Sequence, residues 1–262
     1  MSYLSILCAD LYQYLQRFVY YRYVPPHFSL QGEQLLTVLD GPIDHISCLF
    51  GVLIVRADNF RYIFDIDHPL LRTKTPVRLG NHECEAIIGN NLYSAHIQSN
   101  NQVRVHNFQG ETIFSYTCTF VNTAAFYGHL LLIAKSNCLL SIDVLNAGEI
   151  VKRFQFSDIA HTHRLCVSRG DPVLWRGDRV VVLMHDGTLH KLLDARIILD
   201  LDTDDDGNIL ILCATSIEVF NNDRAHLFSY NLQGFYLQRI RIVDHRLLCV
   251  RFDRQLWLFN II

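Results

Sequence analysis

Two hydrophobic periods divide the chain. Over the first 20 residues, Leu4, Leu7, Cys8, Leu11, Leu15, Phe18 and Val19 recur at three- and four-residue spacing, with Ser5, Gln13, Gln16 and Arg17 between them. That spacing predicts an amphipathic helix of about five turns. Val24-Pro25-Pro26 ends it, because proline excludes a continuing helix. After Pro26 the period changes to two, and short runs rich in Val, Ile, Leu, Phe and Tyr alternate with Gly, Asn and Asp turns. This is the pattern of consecutive antiparallel strands. The expected organisation is a helix and Pro-Pro linker over 1–26, then one β domain over 27–262.

The strand pattern repeats. An apolar strand, a turn usually holding Gly, and a very apolar strand recur as Ile46–Phe50 with Val52–Val55, Ala86–Ile88 with Leu92–Ile97, and Ala124–Tyr127 with Leu130–Ala134. Val173–Trp175 with Val180–Met184, Ile198–Leu201 with Ile209–Cys213, and Ile240–Val243 with Leu247–Val250 continue the series. The turns fall at Gly51, Gly89, Gly128, Gly177, Gly207 and Asp244, roughly 38 residues from one to the next except for one long and one short gap. Each unit then continues into a third strand, a tight turn and a fourth strand, as in Val103–Glu111 into Thr112–Thr117, Leu140–Glu149 into Ile150–Phe156, and Ser216–Asp223 into His226–Leu232. A four-stranded unit of this size cannot bury both faces alone, so it must stack on its neighbours.

Six units make a ring. The last ends at Gln255–Ile262 after its third strand, and Phe28–Asp40 reads as an orphan turn and fourth strand. A strand near 33–40 that completes the last unit closes the ring and removes two exposed edges. The expected fold is all-β, a six-bladed β-propeller with an N-terminal amphipathic helix.

Val103–Glu111 and Ser141–Glu149 resemble the third-strand-and-turn pattern of WD40-like propellers, and the likeness covers most of residues 28–262. His106 and Asp143 stand where a Trp-Asp pair is expected, and the Gly128-His129 dipeptide does not recur from blade to blade. The resemblance therefore implies the fold and carries over no binding residue. A helix ahead of a propeller is also similar to F-box adaptor proteins, whose helical module is longer than this segment.

Composition narrows the function classes. Lys+Arg number 23 against 26 Asp+Glu, a formal charge of −3, with no basic run, so nucleic acid is not an expected partner. No stretch of 18 uncharged apolar residues occurs, so no membrane span is expected. The 8 cysteines are spread singly with no C-x-x-C pair, several within apolar runs, which fits a reducing, intracellular setting, cytoplasmic or nuclear.

The best local motif is Asp202-Thr-Asp204-Asp-Asp206-Gly207, with Asp200 upstream. Alternate carboxylates before a Gly can wrap oxygens around Ca²⁺, but the twelfth position is Cys213 and not Glu. Asp-Asp-Gly-Asn between two apolar strands is also what a hairpin turn demands, and that reading is favoured. His161, His163 and Cys166 have metal-ligand types, with His82 and Cys84 as distant partners, and are better read as solvated or satisfied polar groups. Arg239, Arg241, Arg246, Arg251 and Arg254 interleave with apolar residues and fit solvated strand faces, with an acidic partner surface as the sharper reading. No nucleophile elbow, P-loop, dinucleotide fingerprint or zincin motif occurs.

These observations lead to a non-enzymatic interaction scaffold or adaptor, or a structural component of a larger assembly, with protein partners and no cofactor. Leu4, Leu7, Leu11, Leu15 and Phe18 are the candidate docking positions for a partner. The alternatives are an F-box-like adaptor with a shortened helical module, and a propeller enzyme or carbohydrate- or ligand-binding module. That last reading requires acidic and His side chains gathered at the central channel.

Overall fold

Because each period-two run has an apolar face and a twisted edge, the runs pair into small sheets that stack around an axis. In the computed structural model the described residues are 30–261 except 50–51, 59, 66–70, 77–81, 89–90, 98–101, 108, 118–119, 136–137, 156–161, 177, 195–196, 205, 233, 244–245 and 253. The helix expected before Pro25, with Leu4, Leu7, Leu11, Leu15 and Phe18, lies outside the described residues.

Strand β1 (Leu30–Val38) precedes the first complete blade, which holds β2 (Ile43–Leu49), β3 (Val52–Ala57), β4 (Phe60–Asp65) and β5 (Leu71–Pro76). The second blade is β6 (His82–Ile88), β7 (Asn91–Ile97), β8 (Gln102–Asn107) and β9 (Thr112–Thr117). The third is β10 (Val121–Tyr127), β11 (Leu130–Lys135), β12 (Cys138–Asp143) and β13 (Glu149–Gln155). The fourth is β14 (Thr162–Ser168), β15 (Asp171–Arg176), β16 (Arg179–Leu183) and β17 (Leu189–Leu193). The fifth is β18 (Ile198–Thr203), β19 (Ile209–Cys213), β20 (Ser216–Phe220) and β21 (His226–Asn231). The sixth joins β22 (Leu237–Val243), β23 (Arg246–Arg251) and β24 (Gln255–Ile261) to β1, which pairs antiparallel with β24 from Leu30↔Ile261 to Val38↔Gln255.

The chain is thus an all-β, six-bladed propeller, and its likeness to WD40-like propellers is one of fold. One hairpin of the repeat differs from the expectation. Val173–Trp175 and Val180–Met184 are the second and third strands of the fourth blade, and its innermost strand is β14. The turn equivalent to Gly128 and Gly207 is at Gly170 (φ 90°), which restores an even spacing. The polar run Thr-His-Arg-Leu-Cys-Val-Ser of β14 masks its strand character.

The core is divided among blade interfaces. Leu53, Val55, Tyr62 and Phe64 of the first blade meet Leu248, Val250, Leu256 and Leu258 of the sixth. Val103 and Val105 meet Leu131 and Ile133 between the second and third blades, and Leu132 and Ala134 meet Leu174 and Leu183 between the third and fourth. Val180 and Val182 pack on Ile209 and Ile211, and Leu210 and Leu212 on Leu247 and Cys249. Each fully buried Leu or Ile contributes about 1.5–3 kcal/mol, so stacking, more than any single blade, stabilises the ring.

The innermost strands β2, β6, β10, β14, β18 and β22 run side by side around the axis and touch one another in sequence. Five of them carry a register shift near their start, at Ile43/His45, Val121/Thr123, Thr162/Arg164, Ile198/Asp200 and Leu237/Arg239. A bulge re-aims the side chain that follows it. His45, Thr123, Arg164, Asp200 and Arg239 therefore occupy equivalent positions around the ring.

Candidate functional site

An elongated cavity of about 920 Å³ occupies the centre of the ring and takes wall residues from all six blades. It extends from Asp44 and Gln238, where the inner strands begin, to Tyr127 and Gly128, where they end. The third blade lines it with uncharged residues such as Thr123 and Ala125, whereas the other blades mix charged side chains with apolar and neutral polar ones.

Between the first two blades, Glu85 is buried and accepts a hydrogen bond from Ser47 Oγ at 2.6 Å, while His45 Nε2 lies 3.2 Å from the same Oε2 atom. Asp44 is bound by Arg56 Nε at 2.6 Å. On the far side Asp200 is fully buried at 0% exposure and joins three blades. It accepts from Arg164 of the fourth blade, from Arg241 Nη1 of the sixth at 3.2 Å, and from the backbone N–H of Ile240 at 3.0 Å. Arg241 Nε reaches across the ring seam to the Ile46 carbonyl at 2.7 Å. Asp202 accepts the backbone N–H of Ile242 at 2.8 Å.

The pattern has one physical origin. The inner strand of each blade is a sheet edge, and its outward N–H groups must find partners. Asp200 and Asp202 supply these to β22 from the neighbouring blade. Burial raises the pKa of Asp200 against the opposing charges of Arg164 and Arg239. Burial likewise raises Asp202 to about 7, with Arg164 and the Ile242 N–H pulling down and Asp200 pushing up. At neutral pH Asp202 therefore carries only part of a charge.

The candidate metal ligands do not converge. Asp202 faces the channel, whereas Asp204 serves the β18–β19 turn, accepting from the Asn208 N–H at 2.7 Å and from Asn208 Nδ2 at 2.7 Å. Gly207, at φ 83°, completes that turn with its N–H on the Asp204 carbonyl at 3.0 Å, and its own carbonyl receives Ser168 Oγ at 2.6 Å. Asp206 lies in the same turn. Among the described residues no three His, Cys, Asp or Glu side chains group in a metal-holding arrangement. Cys84 and Cys166 both line the channel from different blades, and burial, with Asp202 nearby, pushes the Cys166 thiol well above its ordinary range. Such a thiol is a poor nucleophile. The side chains of His82, His161 and His163 lie outside the described residues.

Two of the arginines expected on solvated strand faces lie elsewhere. Arg239 and Arg241 do not sit on solvated outer faces; they line the channel, and Arg241 is buried. Arg251 lies over Trp257 at 4.9 Å, with Phe235 and Phe252 at 5.6 Å each. Strand alternation marks positions 239 and 241 as polar, but only ring closure turns that face inward. A second cluster has no signature in the sequence: Glu218, Ser229 and His226. Ser229 donates to Glu218, and His226 Nε2 lies 2.9 Å from Glu218 and 3.3 Å from Ser229 Oγ. One imidazole nitrogen faces both partners, so the ring cannot relay a proton from Ser to Glu as a nucleophilic triad requires. The group is a satisfied buried carboxylate.

No family model and no curated protein matches the chain. Solved structures match at the level of the fold. BamB from Moraxella catarrhalis is 13% identical with a TM-score of 0.53, covering 82% of this chain and 71% of its own. BBS1N, solved in complex with ARL6DN, is 13% identical with a TM-score of 0.62, covering 86% and 79%. The computationally designed Ika8 protein is 15% identical with a TM-score of 0.51, covering 84% and 72%. No helix among the described residues is long and apolar enough to cross a membrane.

Proposed function

We propose that the chain is a non-enzymatic protein-interaction scaffold, an adaptor or structural component of a larger assembly, that binds its partner on the end of the ring where the inner strands begin. The observation that carries this is the placement of exposed apolar side chains. In a four-stranded antiparallel blade, the loop entering the first strand and the loop between the second and third share one end. Phe120, Ile197 and Tyr236 lie in entering loops, Val38 ends β1 just before another, and Phe252 follows β23. Ile197, Phe120 and Tyr236 are 72%, 68% and 67% exposed, and the Tyr236 and Phe252 rings lie 5.5 Å apart. Exposed aromatic and aliphatic anchors on loops at one end of a rigid ring are what interfaces use. One propeller neighbour, BBS1N, was itself solved in complex with another protein, and cysteines spread singly along the chain favour an intracellular setting.

The test is affinity capture with chemical cross-linking from the native source. The triple variant Phe120→Ser, Ile197→Ser, Tyr236→Ser is compared with Leu145→Ser on the opposite end. Loss of cross-linked partners in the triple variant alone, equivalent to about a 100-fold affinity loss, is the expected result. Equal capture by both variants refutes the reading. A second reading, a ligand-binding module, is favoured by one observation: the channel wall gathers His45, Glu85, Asp44 and Asp202 together with four arginines.

A further inference from the structure

The channel holds more cationic groups than its carboxylates balance on one side. Four guanidinium groups, those of Arg56, Arg164, Arg239 and Arg241, line the cavity. Asp44 is matched by Arg56. Glu85, on the opposite side, accepts from Ser47 and faces His45. Toward the fourth, fifth and sixth blades, Arg164 and Arg241 share the carboxylate of Asp200, with Asp202 the other acid on that side. Arg239, in the bulge-following position between Asp200 and the first blade, makes no side-chain hydrogen bond or ion pair among the described residues.

From this geometry we propose that the channel binds a small phosphate ester, its phosphate held by Arg239 with Arg164 nearby. The proposal rests on the ligand-binding reading of the channel and names the ligand's class.

Several features support the assignment. The cavity is of the size that ligand sites have, roughly 300–1,000 Å³. A planar guanidinium with two donors free matches a phosphate edge, and partial burial strengthens the pair. Burial lowers the pKa of Arg239, and the charges of Arg164 and Arg56 act the same way, while Asp200 and Asp44 raise it. The group remains a cation at neutral pH. Asp202 is only partly ionised there, so it does not cancel the excess. A dianion beside Arg239 sets attraction against the repulsion that Arg164 and Arg56 exert on it.

The test is isothermal titration calorimetry of the full chain with glucose 6-phosphate, inorganic phosphate and glucose. The expected result is binding of glucose 6-phosphate, weaker binding of inorganic phosphate and none of glucose. Arg239→Gln is expected to weaken the ester at least about tenfold, with Arg254→Gln unchanged. Phenylglyoxal labelling of the unaltered chain makes the test independent of how the variant folds: glucose 6-phosphate is expected to protect Arg239 and leave Arg254 reactive. Absence of heat with both phosphate probes, undiminished binding by a folded Arg239→Gln chain, or an unprotected Arg239 overturns the proposal. Inorganic phosphate binding as tightly as the ester overturns the ester assignment. Glucose binding as tightly as its phosphate overturns the anion assignment and leaves the ligand-binding reading standing.

Discussion

The Oδ2 atom of Asp200 accepts the backbone N–H of Ile240 at 3.0 Å, so a carboxylate of the fifth blade completes the open edge of the sixth. The same group receives Arg164 and Arg241, and it is wholly buried. Removing one partner of such a network leaves buried cations without compensation. Asp200→Ala is expected to cost about 3–5 kcal/mol in urea denaturation. Asp200→Asn is expected to cost less, because its amide oxygen still accepts from Ile240. Equal stability of Asp200→Ala and the parent rules out the clamp.

Asp202 makes stability depend on pH with a definite sign. Its folded pKa, about 7, stands above the ordinary value of 3.8, so the folded chain holds a proton that the unfolded chain releases. Stability from this group is full below the unfolded value and is lost as pH rises through the folded one. Between pH 4 and 7 the parent is expected to lose stability relative to Asp202→Asn, with a slope of at most about 1.4 kcal/mol per pH unit. Melting curves of both chains at pH 5, 6, 7 and 8 measure it, and parallel pH profiles contradict it.

Gly207 and Gly187 both sit at positive φ, 83° and 85°. A Cβ on Gly187 meets open space, whereas one on Gly207 falls 2.6 Å from Arg169 Cγ. Either substitution by Ala is expected to cost about 1–2 kcal/mol from backbone strain. Gly207→Ala is expected to cost more, since the Arg169 side chain must also move. Equal losses in chemical denaturation would remove the contact from the account.

The closing strand gives a sharper expectation. A chain lacking residues 1–40 loses β1 and exposes the outer edge of β24, whose Leu256 and Leu258 belong to the seam core. Exposed edges pair with other chains. Gel filtration is expected to show aggregates or oligomers larger than the parent's own species, and an unchanged elution contradicts the clasp.

The hairpins at Gly128 and Gly207 and the paired third and fourth strands were legible because apolar alternation and glycine turns are local signals. Strand β14 was obscured because Thr162, His163, Arg164 and Ser168 make it a polar run, which weakens the contrast between faces. The channel was not legible. Alternation separates Arg239 and Arg241 from Ile240 and Ile242, but it does not distinguish outer solvent from a central cavity. That distinction arises only when six non-local interfaces close. The acidic run was half legible: Asp204 and Gly207 form the expected turn, while Asp200 and Asp202 leave it to bind a neighbouring strand.

The antiparallel seam also sets how the ring responds to force. Leu30 lies opposite Ile261 at one extremity of the β1–β24 ladder, and Val38 lies opposite Gln255 at the other. A load drawn between Leu30 and Ile261 therefore strains the ladder bonds one after another and not all together. The seam parts like a zipper under low tension, while the blade interfaces behind it remain loaded in parallel. A tether that approaches from both ends of the chain acts on the one joint of the ring that covalent connectivity does not secure.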